Sequence, residues 1–383
     1  RKPPCIMMLR KTSLFQTLEE CSELDPNNHS DRQLYESSIW ALLRSDPKQA
    51  RRKIYPAMGS YIGEDFEYLL HQCLRYRPST ALVEAVVAAN PTAVEELVSC
   101  CPLWARLYAL HIAVYFQASI DIIRYLTNLY PKALLMKAQG ENERTPFHIL
   151  AGNPYDLDAL KLFIEACPSA LKIQDLRQNT PLFVAVKEAI DNCPKNGVEA
   201  IRLLANANPE LITKRSYSYF RNTPFIYACG FGSYEVVKIL LEACPDVLSG
   251  KTSPSNMHAL AYACHRWRPL DILSLLTRHA NPNALAYRPE DGSKTAFEEA
   301  WSQMVFEGVE YLFQQFNGDE ISLNSIPHFS SRIPFGKYKK FERWGKLLAS
   351  NHEHVRKIKL KTHFGLESLF LIAFLSELAD NNE

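Results

Sequence analysis

Residues 221–248 have the sequence RNTPFIYACGFGSYEVVKILLEACPDVL, and this stretch decides the fold. Near its start, Thr223 is followed by Pro224. This pair predicts a helix start, because Thr caps a helix with its hydroxyl and Pro at the first position has a preset φ and no N–H to leave unpaired. After a Gly-containing turn, a longer helix is predicted over 234–244, since its apolar residues fall on one face. These residues are Val236, Val237, Leu240 and Leu241.

The end of this longer helix is marked by a proline, and the same mark recurs along the chain. It occurs at Asn90-Pro91, Tyr130-Pro131, Cys167-Pro168, Asn208-Pro209, Cys244-Pro245 and Asn281-Pro282. Successive prolines are 40, 37, 41, 36 and 37 residues apart. Because proline disfavours helix at the residue before it, each is expected to end its helix. The chain then enters an extended finger, the loop that leads to the first helix of the next repeat.

The Thr-Pro helix start recurs in phase with these prolines. It stands at Thr145-Pro146, Thr180-Pro181 and Thr223-Pro224, with weaker versions at Tyr108–His111, His258–Ala261 and Thr295–Glu298. A generic helical bundle would not explain two signals that stay in phase over about 230 residues, whereas a repeat architecture does.

With both signals in place, residues 221–248 resemble the ankyrin repeat closely. Similar units are predicted to start near Trp104, Glu141, Leu176, Tyr219, Ser253 and Asp291, and a degenerate unit covers 64–91. The resemblance extends over about two thirds of the chain. It implies an all-α fold, an ankyrin-type solenoid of stacked helix-turn-helix repeats with helical caps, in which neighbouring pairs share a continuous core.

Three segments follow from this interpretation. Residues 1–55 form an N-terminal helical segment or cap, 56–317 an array of about seven ankyrin-like repeats, and 318–383 a basic C-terminal segment with a closing helix. Within the first segment, 31–54 is predicted to form a helix, a turn at Asp46-Pro47 and a second helix.

The sequence contains no recognisable catalytic or metal-binding motif. With only 14 glycines it has neither a GxGxxG nor a GxxxxGK[ST] loop, and no GxSxG elbow occurs. His352, His354 and His363 are the best metal-like group, but two His at i and i+2 face different sides of a helix, so solvated polar residues are favoured. Cys264 precedes His265 but lies in the register of Cys229, which favours packing over a thiol nucleophile. We therefore predict no enzyme activity, no cofactor, no metal and no small-molecule substrate.

The bulk properties favour a soluble intracellular protein, cytoplasmic or nuclear. The net charge is +1 and hydrophobic residues make up 47% of the chain. Ten cysteines include no CxxC pair, and most lie in apolar helical patterns, which is typical of buried free thiols in a reducing compartment.

The resemblance implies a concave recognition surface made of the fingers and the exposed end of each first helix. Non-repeating residues there are predicted to contact a partner protein: Trp104, Tyr115, Phe116, Arg144, Arg177, Lys187, Tyr219, Phe220, Phe231, His265, Arg266 and Trp267. Leu176, Asn179, Glu188 and Asn222 occupy comparable positions. Packing between repeats stays open as an alternative for Trp104, Phe116 and Phe231.

A second possible surface is the basic segment 332–361. Its candidate contacts to an anionic partner are Lys337, Lys339, Lys340, Arg343 and Lys346. Such a segment is compatible with an anionic membrane, a nucleic acid or an acidic protein, although a charge run is more often a solvated face.

The sequence therefore favours a non-catalytic scaffold or adaptor that binds another protein along the repeat surface. The alternatives are a binding module of a larger enzyme or signalling protein, and an anionic-surface binder that acts through the basic segment. Partner identity, pathway and oligomeric state do not follow from the sequence.

Overall fold

A computed structural model describes seven stretches of the chain: 14–54 except 22, 66–100, 105–140, 142–217, 222–248, 259–266 and 269–279. The C-terminal segment 318–383 and the last predicted repeat lie outside the described residues. The chain divides into two compact units, one made of Arg1–Leu211 with Ser216–Ser218 and the other of Ile212–Arg215 with Tyr219–Glu383.

The described part of the first unit contains ten α-helices and one short hairpin. The helices are α1 Leu14–Glu20, α2 His29–Ser45, α3 Leu69–Arg75, α4 Thr80–Ala89, α5 Ala109–Tyr115, α6 Ile120–Leu129, α7 Pro146–Gly152, α8 Leu157–Ala166, α9 Pro181–Asp191 and α10 Gly197–Ala207. Strands β1 Val98–Cys100 and β2 Ala105–Leu107 pair antiparallel, with Val98 opposite Leu107. This hairpin is a small β addition to a fold that is otherwise all-α.

The second unit contains two helix pairs in its described residues. They are α11 Pro224–Phe231, α12 Tyr234–Ala243, α13 Ala259–His265 and α14 Leu270–His279. Helix α11 packs against α13 and α12 against α14, so equivalent helices of successive repeats lie side by side.

The predicted Thr-Pro helix starts are confirmed. Thr145, Thr180 and Thr223 are the N-caps of α7, α9 and α11, and each hydroxyl accepts a hydrogen bond from the backbone N–H three residues later. Proline occupies the first turn in all three helices. Since such a cap stabilises a helix by about 1 kcal/mol, these short first helices depend on it.

The longer helices of the described residues end just before their prolines, as predicted. Each of these prolines begins a short 3₁₀ turn: Pro47–Arg51, Pro91–Val94, Pro131–Leu134, Pro168–Lys172, Pro209–Thr213 and Pro245–Leu248. Proline is suited to a first helical position, so it ends one helix and starts another turn at once. This turn, which precedes the finger, was not predicted from the sequence, and the last predicted helix-ending proline, Pro282, lies outside the described residues.

Stacked helix pairs build the core of the first unit. The row α3, α5, α7 and α9 and the row α4, α6, α8 and α10 each pack neighbour against neighbour. Between the rows, Phe147 and Phe163 are fully buried, with ring centroids 5.7 Å apart in an edge-to-face arrangement. Burying an aromatic or aliphatic side chain of this size stabilises the fold by about 1.5–3 kcal/mol, so the shared faces hold the repeats together.

The N-terminal flank packs onto the first repeat. Tyr35 of α2 stacks on Tyr76 at 3.8 Å, and α2 contacts α4. The predicted turn after α2 begins at Asp46, which caps the 3₁₀ turn Pro47–Arg51 through its side chain. The prediction of a second helix after this turn was wrong, because only the 3₁₀ turn follows. Ile54 then pairs with Glu67 in an isolated β-bridge.

Candidate partner-binding surface

In two first helices of the first unit, α5 and α7, a buried histidine links the helix to the following finger. Nε2 of His111 lies 3.1 Å from the backbone carbonyl of Arg144, and Nε2 of His148 lies 3.0 Å from that of Asn179. Burial lowers the pKa of His111 to about 3 and that of His148 to about 4. Both rings are therefore neutral at pH 7, and since a carbonyl only accepts, Nε2 carries the proton.

The finger before α9 is organised by one buried carboxylate. Asp175 accepts hydrogen bonds from the backbone N–H groups of Arg177 (2.9 Å) and Asn179 (2.8 Å) and from the Asn179 side-chain amide (3.0 Å). The Asn179 side-chain oxygen in turn accepts from the Ser216 hydroxyl at 2.5 Å. Asn179, predicted to face a partner, is only 3% exposed, so that prediction was wrong: its side chain holds the finger together.

Main-chain hydrogen bonds join one finger to the next. Arg106 and Gln139 exchange two of them, at 2.7 and 2.9 Å. Leu176 donates its N–H to the Asn142 carbonyl at 2.9 Å, and Tyr217 donates to the Arg177 carbonyl at 3.0 Å.

Two large hydrophobic side chains on these hydrogen-bonded fingers are exposed to solvent. Leu176 is 56% exposed and Tyr217 62% exposed, the highest values among the large hydrophobic residues of the described chain. Arg177, which follows Leu176 and accepts the main-chain hydrogen bond from Tyr217, is also exposed. The finger tips therefore present an aliphatic group, an aromatic ring and a guanidinium to solvent on an ordered main chain.

The C-terminal end of α5 carries a second exposed group. The rings of Tyr115 and Phe116 are 5.2 Å apart, and Tyr115 is 47% exposed. Arg77, from the preceding repeat, donates from Nε to the Phe116 carbonyl at 2.8 Å and from Nη2 to the Gln117 side chain at 3.1 Å. Arg77 and Gln117 both have positive φ, 48° and 58°, and end their helices in the left-handed conformation.

The predicted residues Arg144 and Lys187 lie in one mixed-charge group with Glu188. Nη2 of Arg144 is 3.9 Å from Oε1 of Glu188, and Nε is 3.9 Å from Oδ2 of Asp175. Nζ of Lys187 is 3.5 Å from Oε1 of Glu188 and 2.8 Å from Oδ2 of Asp191. The positive and negative charges of this group largely balance each other. Its ion pairs connect the start of α7 with the C-terminal part of α9, and its side chains are partly exposed to solvent.

In the second unit, Phe231 and Arg266 are brought together. The Arg266 guanidinium lies 4.1 Å from the centre of the half-exposed Phe231 ring, and Tyr262 packs 6.1 Å from the same ring. The Tyr262 hydroxyl accepts a hydrogen bond from the Asn222 side-chain amide at 3.1 Å. Asn222 is only 5% exposed, so its predicted partner contact was also wrong.

Several predicted contacts lie outside the described residues. They are Trp104, Tyr219, Phe220, Trp267, the side chain of His265, and Lys337, Lys339, Lys340, Arg343 and Lys346. The possible metal group at His352, His354 and His363 lies outside as well.

Reactive chemistry is not apparent on the described residues. Cys264 is fully buried, as its register predicted. Burial also raises the pKa of Cys73 to about 12, which keeps this thiol protonated. Within the stretches that the structure describes, no three His, Cys, Asp or Glu side chains converge as metal ligands. Likewise, none of the described helices combines the length and apolar character needed to cross a bilayer.

Sequence reasoning missed the side chains that brace the surface. Arg77 is one, and Tyr155 and Asn196 are two others: the Tyr155 hydroxyl donates to the Ala118 carbonyl at 3.2 Å, and the Asn196 amide to the Pro154 carbonyl at 2.9 Å. Each bond joins loops about one repeat apart. No local pattern marks them, because the partner is a main-chain carbonyl of another repeat.

A family model agrees with the repeat architecture. The family model for ankyrin repeats, in three copies, matches residues 189–286. A search of curated proteins gives no significant match. Among solved structures, a chain of "Bd0816 Predatory Endopeptidase from Bdellovibrio bacteriovorus in complex with immunity protein Bd3460" is similar, at 18% identity and a TM-score of 0.42, over 54% of this chain and 96% of that one. The family model thus identifies ankyrin repeats, which are protein-interaction modules, at residues 189–286, and the capped helix pairs that precede this range have the same repeated arrangement.

Proposed function

We propose that this chain is a non-catalytic scaffold or adaptor that binds a partner protein through its finger tips and first-helix ends. The observation that supports it most is the exposure of Leu176 and Tyr217 on fingers tied together by main-chain hydrogen bonds. Exposed apolar and aromatic side chains on a preorganised backbone lose little conformational entropy on binding, so they are suited to be interface anchors.

The helix ends extend the same proposal. Tyr115 and Phe116 offer aromatic area, and Arg144 and Lys187 offer charged groups already oriented by Glu188 and Asp191. Arg and Tyr are enriched among residues that dominate protein interfaces. We propose Phe231 and Arg266 as contacts in the second unit on the same grounds. An intracellular location is part of the proposal, on the basis of the free buried thiols.

Site-specific photo-crosslinking tests this proposal. A photoreactive phenylalanine analogue replaces Tyr217 or Tyr115, and in the control it replaces Leu129, which is 47% exposed at the end of the second helix α6. In lysate from cells that produce the protein, the first two positions are expected to crosslink to the same partner protein and the control position is not.

A second experiment separates binding from folding. The double variant Leu176→Ser with Tyr217→Ala is expected to lose that partner while keeping the melting temperature within a few degrees, because both side chains are largely exposed. Leu129→Ser is the matched control and should retain the partner. Equal capture by both variants would contradict the proposed surface.

A further inference from the structure

A concentrated positive patch lies at the N-terminal end of the first unit, away from the fingers in sequence. It consists of five exposed cations, here called the basic edge: Arg44, Lys48, Arg51, Arg52 and Lys53. Arg44 is in the last turn of α2, Lys48 and Arg51 are on the 3₁₀ turn, and the other two follow directly.

Among the described residues, no acidic side chain forms an ion pair with the basic edge. Asp46 is the one acid among residues 44–53, and both its oxygens are occupied, by the backbone N–H of Lys48 (3.1 Å) and the side-chain amide of Gln49 (2.8 Å). The nearby Glu67 forms its ion pair with Arg75 at 2.5 Å. Asp46 and Glu67 thus have other partners within the described ranges, and the five cations keep their net positive charge there.

Three of these cations are held in place by the fold. Arg51 donates from Nε to the Ala89 carbonyl at 2.8 Å. The Lys53 ammonium lies 3.8 Å above the centre of the Phe66 ring, and the Arg44 guanidinium lies 5.9 Å from that of Trp40. A charged group that is already positioned loses less side-chain entropy when it binds, so the basic edge is better organised than a set of freely moving surface lysines.

The surroundings of the basic edge favour carboxylates over lipid or nucleic acid. Among residues 40–54, no large apolar side chain is among the strongly exposed ones, so the patch lacks an anchor to insert into a membrane. The two rings beside it, Trp40 and Phe66, are already in contact with the chain's own cations, which disfavours base stacking. Three of the five cations are arginines, whose guanidinium pairs with carboxylate in a two-point geometry, as it also does with phosphate. The preference for carboxylate therefore rests on the lack of an exposed apolar anchor and of a free aromatic ring at residues 40–54 and Phe66.

We propose that the basic edge docks an extended acidic segment, rich in Asp and Glu, of a partner protein. The basic edge contains none of the finger-tip and helix-end residues proposed above, so the two proposals can be tested independently. It would add long-range attraction and orientation to partner capture, because electrostatic complementarity acts mainly on the association rate and on register.

The test uses a fluorescein-labelled decaglutamate peptide and fluorescence anisotropy with the full-length chain. All proteins compared carry Lys337→Gln, Lys339→Gln and Lys340→Gln, so that the basic C-terminal segment contributes less to binding. In this background, Lys48→Glu with Arg52→Glu is expected to weaken peptide binding by roughly tenfold or more at about 0.15 M salt. Both side chains are exposed, and neither forms a hydrogen bond or ion pair with the described residues, so the melting temperature should change little. Lys48→Gln with Arg52→Gln provides a milder second variant.

The matched control is Lys132→Glu with Lys214→Glu, which changes net charge equally at two other exposed lysines. It is expected to weaken binding by less than about twofold, since these two lysines are not part of the basic edge and exposed charges are screened by salt. Equal weakening by the two reversals would overturn the proposal, because binding would then follow net charge alone. Tighter, edge-dependent binding to vesicles of equal phosphatidylserine and phosphatidylcholine, or to a single-stranded oligonucleotide, would also overturn it in favour of those ligands.

Discussion

Asp175 and Asn179 are joined by two hydrogen bonds within the finger before α9. The Asp175 carboxylate accepts from the Asn179 backbone N–H at 2.8 Å and from its side-chain amide at 3.0 Å. The Asp175 side chain is 1% exposed. Asp175→Asn replaces one acceptor oxygen with a donor that faces other donors. We expect a loss of about 1–3 kcal/mol in the free energy of unfolding, measured by urea denaturation, because a buried donor is left without its partner.

The control for this change is Asp158→Asn, at an exposed carboxylate that pairs with Lys161 at 2.9 Å. Exposed pairs contribute little, so this variant should lose less than about 0.5 kcal/mol. If the two variants were equally stable, the finger would not depend on the Asp175 network.

Thr145 is predicted to stabilise α7 through its hydroxyl. Its Oγ1 accepts from the His148 N–H at 3.4 Å and lies 2.8 Å from Nδ1 of the same residue. Thr145→Val keeps the shape and removes both interactions, so thermal and urea unfolding should show a loss of about 1–2 kcal/mol. Thr145→Ser restores the hydroxyl and should recover most of it; a Ser variant as unstable as the Val variant would argue that the methyl group matters instead.

Buried histidines predict a loss of stability in mild acid. Burial lowers the pKa of His148 to about 4 and that of His111 to about 3, below the value near 6.5 expected in the unfolded chain. The unfolded state therefore binds a proton first: the stability from these neutral rings is complete above about pH 6.5 and is lost as the pH falls toward the folded-state values. Between pH 7 and 5, each histidine should account for a loss of roughly 2 kcal/mol.

Urea denaturation at a series of pH values checks this prediction. His148→Gln should be less stable at pH 7 but should lose less stability on going to pH 5. An unaltered slope in the His148 variant would show that its ring is not the titrating group.

Gly230 is needed because Tyr262 packs against its backbone. A Cβ at Gly230 would lie 2.8 Å from Cδ1 of Tyr262 and closer still to Cε1. Gly230→Ala should therefore destabilise the second unit by about 1–3 kcal/mol, through displacement of a buried ring. Gly152→Ala is the comparison, since its nearest neighbour would be a methyl group of Val184 at 3.1 Å, and its loss should be smaller.

A double variant tests the stated cause. In a Tyr262→Leu background the clashing ring is gone, so Gly230→Ala should cost less than it does in the wild-type chain. Additive losses in thermal unfolding would place the strain elsewhere.

The repeat architecture could be predicted from the sequence because its signals are local. Thr145, Thr180 and Thr223 each stand next to a proline, and helix starts depend on residues within one turn. Stripes such as Val236, Val237 and Leu240 in α12 show which face is buried. The register of Cys264 with Cys229 correctly placed that thiol in the core.

The errors arose where a side chain bonds to something distant in sequence. Asn179 and Asn222 occupy finger positions typical of exposed residues, but their amides are used inside the protein, with Ser216 and with Tyr262. These contacts span 37 and 40 residues, about one repeat, and no local pattern encodes them. The 3₁₀ turns after each proline were missed for another reason: proline both ends a helix and suits the first residue of a new turn, and the sequence does not say which role dominates.

The two histidine–carbonyl hydrogen bonds run the same way along the chain, from a donor in one repeat to an acceptor in the next. His111 in one repeat and His148 in the next each find their acceptor on the main chain of the following repeat. A fragment that ends just before Arg144 keeps His111 but loses its acceptor, so the ring nitrogen is left without a partner in an apolar interior. A fragment that begins at Tyr108 keeps donor and acceptor together. Shortened versions of this protein should thus tolerate removal of whole repeats from the front better than removal from the back, since only the latter strands a donor in the piece that remains.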